Sequence, residues 1–108
     1  MRVMNFKETL DTLPPADQLR GLDIVDAQGA VVHHIPAAPG KMGSLRVYNA
    51  LAERFGGALN PESVAQGLIW FAEHVPDAQA HPGAHPNIDL LLKPDAGISG
   101  WRLVPLPA

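Results

Sequence analysis

Residues Leu22–Ile35 read LDIVDAQGAVVHHI, two apolar runs separated by a short polar segment. That segment, Asp26–Gly29, has aspartate at its first position and glycine at its fourth. This is the pattern of a type I turn whose last residue adopts a positive φ. The stretch therefore predicts a β-hairpin, and we expect the rest of the chain to pack around it.

Two amphipathic segments after the hairpin predict the main helices. Apolar residues recur at helical spacing over about 44–55, and Ser44 is a residue type that caps helix N-termini. A second apolar seam covers about 61–75 after Asn60, and Pro76 is expected to end or kink this helix.

Shorter elements surround these two helices. Asn5 and Glu8 form a capping pair that predicts a short helix, and residues 16–21 resemble one helical turn closed by glycine. Residues 87–93 predict two further helical turns. Residues 101–105 alternate as a strand does, and the proline at 105 would end this strand or confine it to a sheet edge.

These elements predict an α+β fold. A small antiparallel sheet, made of the hairpin 22–35 and the strand 101–105, is packed by the main helices at about 44–55 and 61–75 and by short helical turns. Residues 1–108 are expected to form a single domain, because no linker or repeat interrupts them.

The composition excludes several classes of function. The chain has no cysteine, which excludes disulfides, thiolate metal sites and thiol nucleophiles. Its net charge is −3 and none of its eight Lys and Arg residues are adjacent, so no cationic stripe for nucleic acid is expected.

The composition also predicts a location and a type of partner. No apolar run approaches the ~20 residues that span a bilayer, and the N-terminus lacks an apolar leader, so we expect a cytoplasmic protein without membrane contact. Free sheet edges and near-half hydrophobic content favour a homodimer, another homo-oligomer or a protein partner.

Three histidines, His74, His81 and His85, form the most polar region of the sequence. His81 and His85 each precede a proline, which disfavours the helical conformation, so they are not a helical zinc pair. Pro82-Gly83 instead predicts a turn that folds His81 back. With His74 these side chains would suit a divalent metal such as zinc. The alternative, which we favour, is that they are structural and no cofactor is bound.

A second candidate site lies between the hairpin and the first main helix. Lys41, Gly43 and Ser44 would offer a cation and exposed amides to an anion at the helix start. The segment lacks the first glycine of a phosphate-binding P-loop, so nucleotide hydrolysis is not expected. His33 and His34, adjacent on a strand, are expected to point to opposite faces of the sheet.

The chain as a whole resembles a family of small bacterial proteins that is catalogued as a conserved domain of unknown function. Three parts of the sequence carry the resemblance: Gly21–Asp26 with Gly29, Pro39-Gly40-Lys41 with Gly43-Ser44-Leu45, and Phe71–His74 followed by His85–Asp89. The resemblance implies a single-domain bacterial protein. It brings no activity, cofactor or catalytic residue.

Together these features predict a small binding or interaction protein without catalysis. The alternative is an enzyme that uses the histidines around 74–85, either with a metal or by acid–base chemistry with Glu73 or Asp89.

Overall fold

The structure, a computed structural model, describes residues 5–92 and 100–108. Within them it contains five helices and a four-stranded antiparallel sheet, which confirms the predicted α+β class. The helices are α1 (Phe6–Thr12), α2 (Met42–Arg54), α3 (Pro61–Phe71), α4 (His74–Ala80) and α5 (Pro86–Leu92). The strands are β1 (Leu19–Val25), β2 (Val31–Pro36), β3 (Ala58–Leu59) and β4 (Trp101–Pro107), in the sheet order β2-β1-β4-β3.

The predicted hairpin is confirmed as β1 and β2. Leu22 pairs with Ile35, and the turn closes where the Gly29 N–H donates to the Asp26 carbonyl. Gly29 has a φ of 87°, the positive value that the sequence predicts. The Asp26 carboxylate also accepts the N–H groups of Gln28 and Ala30, so its side chain holds the turn.

The helical turn predicted at residues 16–21 is wrong, because β1 begins at Leu19. Leu19 pairs with Pro107 and Gly21 pairs with Leu106 on β4. Gly21 ends no helix. A side chain there would place its Cβ 2.8 Å from Cε1 of His34, which packs across the strand. The pairing of β1 with β4, which is distant in the sequence, outweighs the helix end that Gly21 alone would predict.

The C-terminal strand β4 lies inside the sheet, whereas the sequence predicted that Pro105 would end it or put it at an edge. β3 pairs only with Trp101 and Arg102, and the Leu103 N–H donates to the Gly57 carbonyl on that same side. Amides two residues apart in a strand point the same way, so the Pro105 nitrogen points beyond the end of β3. The missing N–H therefore removes no bond of the sheet.

The helix predicted at about 61–75 is two helices. α3 ends at Phe71, Ala72 adopts a φ of 52°, and α4 begins at His74. Pro76 neither ends nor kinks a helix. It lies in the first turn of α4, where a backbone N–H has no partner within the helix.

Several predicted helix starts can be compared with the structure. Asn5 caps α1 in a capping box with Glu8, as predicted, and Asn60 caps α3 in the same way.

The start of α2 is two residues earlier than predicted, because the Leu45 N–H already donates to the Lys41 carbonyl. Ser44 therefore lies in the first turn of α2 and is not its cap. The predicted segment 87–93 forms α5 as far as Leu92, and residue 93 lies outside the described residues.

The core lies between the sheet and the helices. Leu22 and Ile24 of β1 have no exposed surface, and neither have Tyr48 and Leu51 of α2. The Tyr48 hydroxyl donates to the Asn87 carbonyl at 2.6 Å, which ties α2 to α5, and burial raises the pKa of Tyr48 far above its usual range. The sheet therefore fixes α2, and α2 positions the shorter helices.

Gly67 allows α3 to approach its neighbours closely. A Cβ at this position would lie 2.9 Å from a methyl group of Leu91 and 3.0 Å from one of Leu51. We expect Gly67→Val to lower the free energy of unfolding by about 1–3 kcal/mol, since overpacking forces side chains out of their rotamers.

Urea denaturation measures this change, and Ala65→Val on the exposed side of α3 is the control. The control should cost only about 0.5 kcal/mol, from helix propensity. An equal loss of unfolding free energy in the two variants would contradict the close packing at Gly67.

Candidate functional site

A cleft of about 430 Å³ brings together the two predicted sites. Its walls come from α1, the start of α2, the end of α3 and the starts of α4 and α5. The residues that line it are Phe6, Leu10, Gly40, Met42, Gly43, Ser44, Phe71, His74, His85 and Ile88. The two predicted sites thus face one space. The anion site contributes Gly43 and Ser44, and the histidine cluster contributes His74 and His85.

Lys41 lines a smaller recess next to this cleft. The recess measures about 150 Å³ and shares Gly40, Ser44, His85 and Ile88 with the cleft. Lys41 is the N-cap residue of α2 but makes no side-chain capping bond, and the first turn of α2 contains no acidic residue. The first amides of a helix carry partial positive charge, and those of α2 lie at this part of the lining.

Aromatic rings form another wall of the cleft. Phe6 stacks on Phe71 with ring centroids 5.8 Å apart and meets His74 edge-on at 4.6 Å. A Cβ on Gly43 would lie 3.0 Å from the Phe6 ring, so the glycine leaves room for it. Sequence reasoning missed Phe6 and Leu10, because their role depends on where α1 docks.

The docking of α1 depends on polar contacts at both of its ends. Oε1 of Glu73 accepts the Phe6 N–H at 2.7 Å, and Arg46 donates to the carbonyls of Leu13 and Pro14. Hydrogen bonds from the backbone N–H of Glu73 itself and from that of Phe6 lower the pKa of the Glu73 carboxyl. Glu73 therefore holds the aromatic wall in place.

Asp77 joins two of the three histidines. Its Oδ2 lies 2.5 Å from Nε2 of His85, and its Oδ1 lies 3.8 Å from Nε2 of His81. The hydrogen bond from His85 is the main cause of the lowered pKa of Asp77. His74 and His85 have ring centroids 5.9 Å apart, whereas His81 is exposed and does not line the cleft.

The loop between α4 and α5 has the conformation that the prolines predict. His81 is the C-cap of α4 and His85 precedes α5, so neither histidine is within a helix. The Ala84 N–H donates to the His81 carbonyl, which closes the turn, and Asp89 accepts the Gly83 N–H at 2.9 Å. Across residues 5–92 and 100–108, no three or more His, Cys, Asp or Glu side chains are arranged to hold a metal ion.

The two strand histidines point to opposite faces of the sheet, as predicted. Nε2 of His33 lies 2.6 Å from Oδ1 of Asn87 on the helix side. Nδ1 of His34 lies 2.7 Å from Oδ1 of Asp23, its partner across β1 and β2. Both imidazoles thus have structural partners.

A family model matches residues 6–97 of the chain, and its description is "Uncharacterized protein conserved in bacteria (DUF2322)". The chain belongs to this family. The resemblance noted from the sequence is thereby confirmed, and the match includes every residue that lines the cleft. No curated protein and no solved structure matches the chain. None of the helices in the described residues has both the length and the apolar character to span a membrane.

The contact between Asp77 and His85 predicts a specific pH dependence. Folding lowers the pKa of Asp77 below its ordinary value of 3.8. The carboxylate therefore stabilises the fold above that value, and the contribution is lost as the pH falls through the lower, folded pKa. We expect Asp77→Asn to unfold more easily at neutral pH and to lose less stability on acidification.

Urea unfolding at neutral pH and at about pH 3 measures both effects. Asp17→Asn, in the turn before β1, removes one exposed carboxylate as a control and should keep the wild-type response. A wild-type pH response in Asp77→Asn would mean that the contact with His85 adds no stability.

Proposed function

We propose that this protein binds a small molecule in the cleft lined by α1, the start of α2, His74 and His85. One observation carries the proposal. The cleft is faced by two polar segments that lie about 30 residues apart in the sequence, Gly40–Ser44 and His74–His85. The cleft volume of about 430 Å³ lies within the ~300–1,000 Å³ typical of ligand sites.

The mixed lining also supports binding of a ligand. Ligand sites combine an apolar wall with a few polar groups that orient the molecule. Here Phe6, Leu10 and Met42 provide apolar surface, while Ser44 and His85 provide hydrogen-bonding groups. No step of catalysis is required for this role.

Filling the cleft should abolish binding. We expect Ser44→Phe to remove the amide shifts that small-molecule fragments cause at the cleft in NMR spectra of the full chain, because the new ring occupies the space. Ala65→Phe, which adds the same ring on the exposed side of α3, should retain them. Fragments that bind both variants equally would contradict the proposed site.

A second candidate function is favoured by the contact between Asp77 and His85. A carboxylate that holds one imidazole nitrogen orients the ring for acid–base chemistry, and His85 lines the cleft. Glu73 and Asp89, the other acids considered for this role, are engaged by the N–H groups of Phe6 and Gly83. Binding remains our preferred function, because Ser44, the hydroxyl in the cleft lining, makes no hydrogen bond to His85 in the described residues.

The enzyme alternative includes a metal held by His74, His81 and His85. We expect the melting temperature of untagged protein to be the same in chelator and in zinc, because Asp77 already engages two of these histidines. A stoichiometric metal in elemental analysis, or a rise in melting temperature with zinc above pH 7, would favour the metal enzyme instead.

Location and association complete the proposal. We place the protein in the cytoplasm and expect it to form a homo-oligomer or to bind a protein partner. Val31 of the outer strand β2 is 56% exposed, and Val104 of β4 is 38% exposed. Exposed apolar residues on a sheet are common at interfaces. Light scattering of the purified chain measures its association.

A further inference from the structure

We infer that the cleft selects an organic anion, a molecule with an apolar body and one negatively charged group such as a carboxylate. This inference rests on the proposed function and assigns its class of ligand. It follows from the separation of apolar and positively polarised groups along the cleft.

The apolar end of the cleft fits a ring or a short hydrocarbon chain. It is lined by Phe6, Leu10, Met42 and Phe71, and all four belong to the core or pack against it. The parallel stack of Phe6 on Phe71 fixes the position of this wall. An apolar body that leaves water for this surface is stabilised by the hydrophobic effect.

The other end of the cleft carries positive and hydrogen-donating groups. The 13-residue helix α2 begins there, so its first amides lie beside the region shared by the cleft and the recess of Lys41. Ser44 and His85 line both spaces. A hydroxyl, helix amides and a lysine together suit a carboxylate or a phosphate, and would repel a cation.

Acids close to the cleft in the sequence are engaged by other groups. Glu73 is engaged by the Phe6 N–H, and Asp77 is engaged by His85 and His81. Neither carboxylate lines the cleft or the recess, and no other Asp or Glu of the described residues lines them. A neutral ligand of the same shape would leave this polar end without a partner, which costs affinity.

The test compares ligands that share a body and differ in charge. NMR titration of the full chain with 4-phenylbutyrate, 4-phenylbutanol and 4-phenylbutylamine reports both affinity and place. We expect the carboxylate to bind roughly tenfold more tightly than the alcohol, a difference of about 1.4 kcal/mol, and the amine to bind most weakly. Inorganic phosphate should shift only the amides around Gly40–Ser44.

Two charge variants locate the selectivity. Lys41→Met should weaken the binding of 4-phenylbutyrate several-fold and leave the affinity for 4-phenylbutanol unchanged. Lys7→Met removes an equal charge from the exposed side of α1 and should leave both affinities unchanged. Equal weakening by the two variants would mean general attraction to net charge and would overturn the inference.

The outcomes separate this inference from the proposed function. If the alcohol or the amine binds as tightly as the carboxylate, the cleft is a ligand site but does not select an anion, and the inference fails. If none of the three compounds, nor phosphate, shifts an amide in the cleft at millimolar concentration, both the inference and the proposed function fail.

Discussion

The placement of β1 between β2 and β4 is the constraint on which the other elements depend. Leu22 and Ile24 of this strand are completely buried, and its two edges pair with the neighbouring hairpin strand and with the C-terminal strand. β1 and β4, which are far apart in the sequence, are thus joined in one sheet. One face of that sheet then receives α2, and α2 positions the helices that form the cleft.

Local signals in the sequence predicted the elements whose cause is local. The capping residues Asn5 and Asn60 and the turn Asp26–Gly29 act through bonds to their own neighbours, so the sequence predicts them directly. The two-residue strand β3 and the early start of β1 depend on pairing with β4, over 40 residues away. No local pattern contains that information.

The same distinction applies to the candidate site. His74, His85 and Ser44 were singled out because polar residues and glycines cluster around them, and the structure brings these three to one cleft. These three residues share the cleft, and Phe6 covers one side of it, because of the way in which α1 and α4 pack. The sequence pattern at residues 61–75 predicts one straight helix, which would carry His74 onward along the axis of α3. Tertiary packing instead divides this segment into α3 and α4.

The break between α3 and α4 links the site to the stability of the fold. Ala72, which is not a glycine, is held at a positive φ, a conformation that costs of order 1–3 kcal/mol and persists only where the surroundings enforce it. The preceding residue, Phe71, is 1% exposed and packs against Phe6 and Tyr48. Core packing and the place of His74 in the cleft lining therefore meet at one backbone break, between α3 and α4.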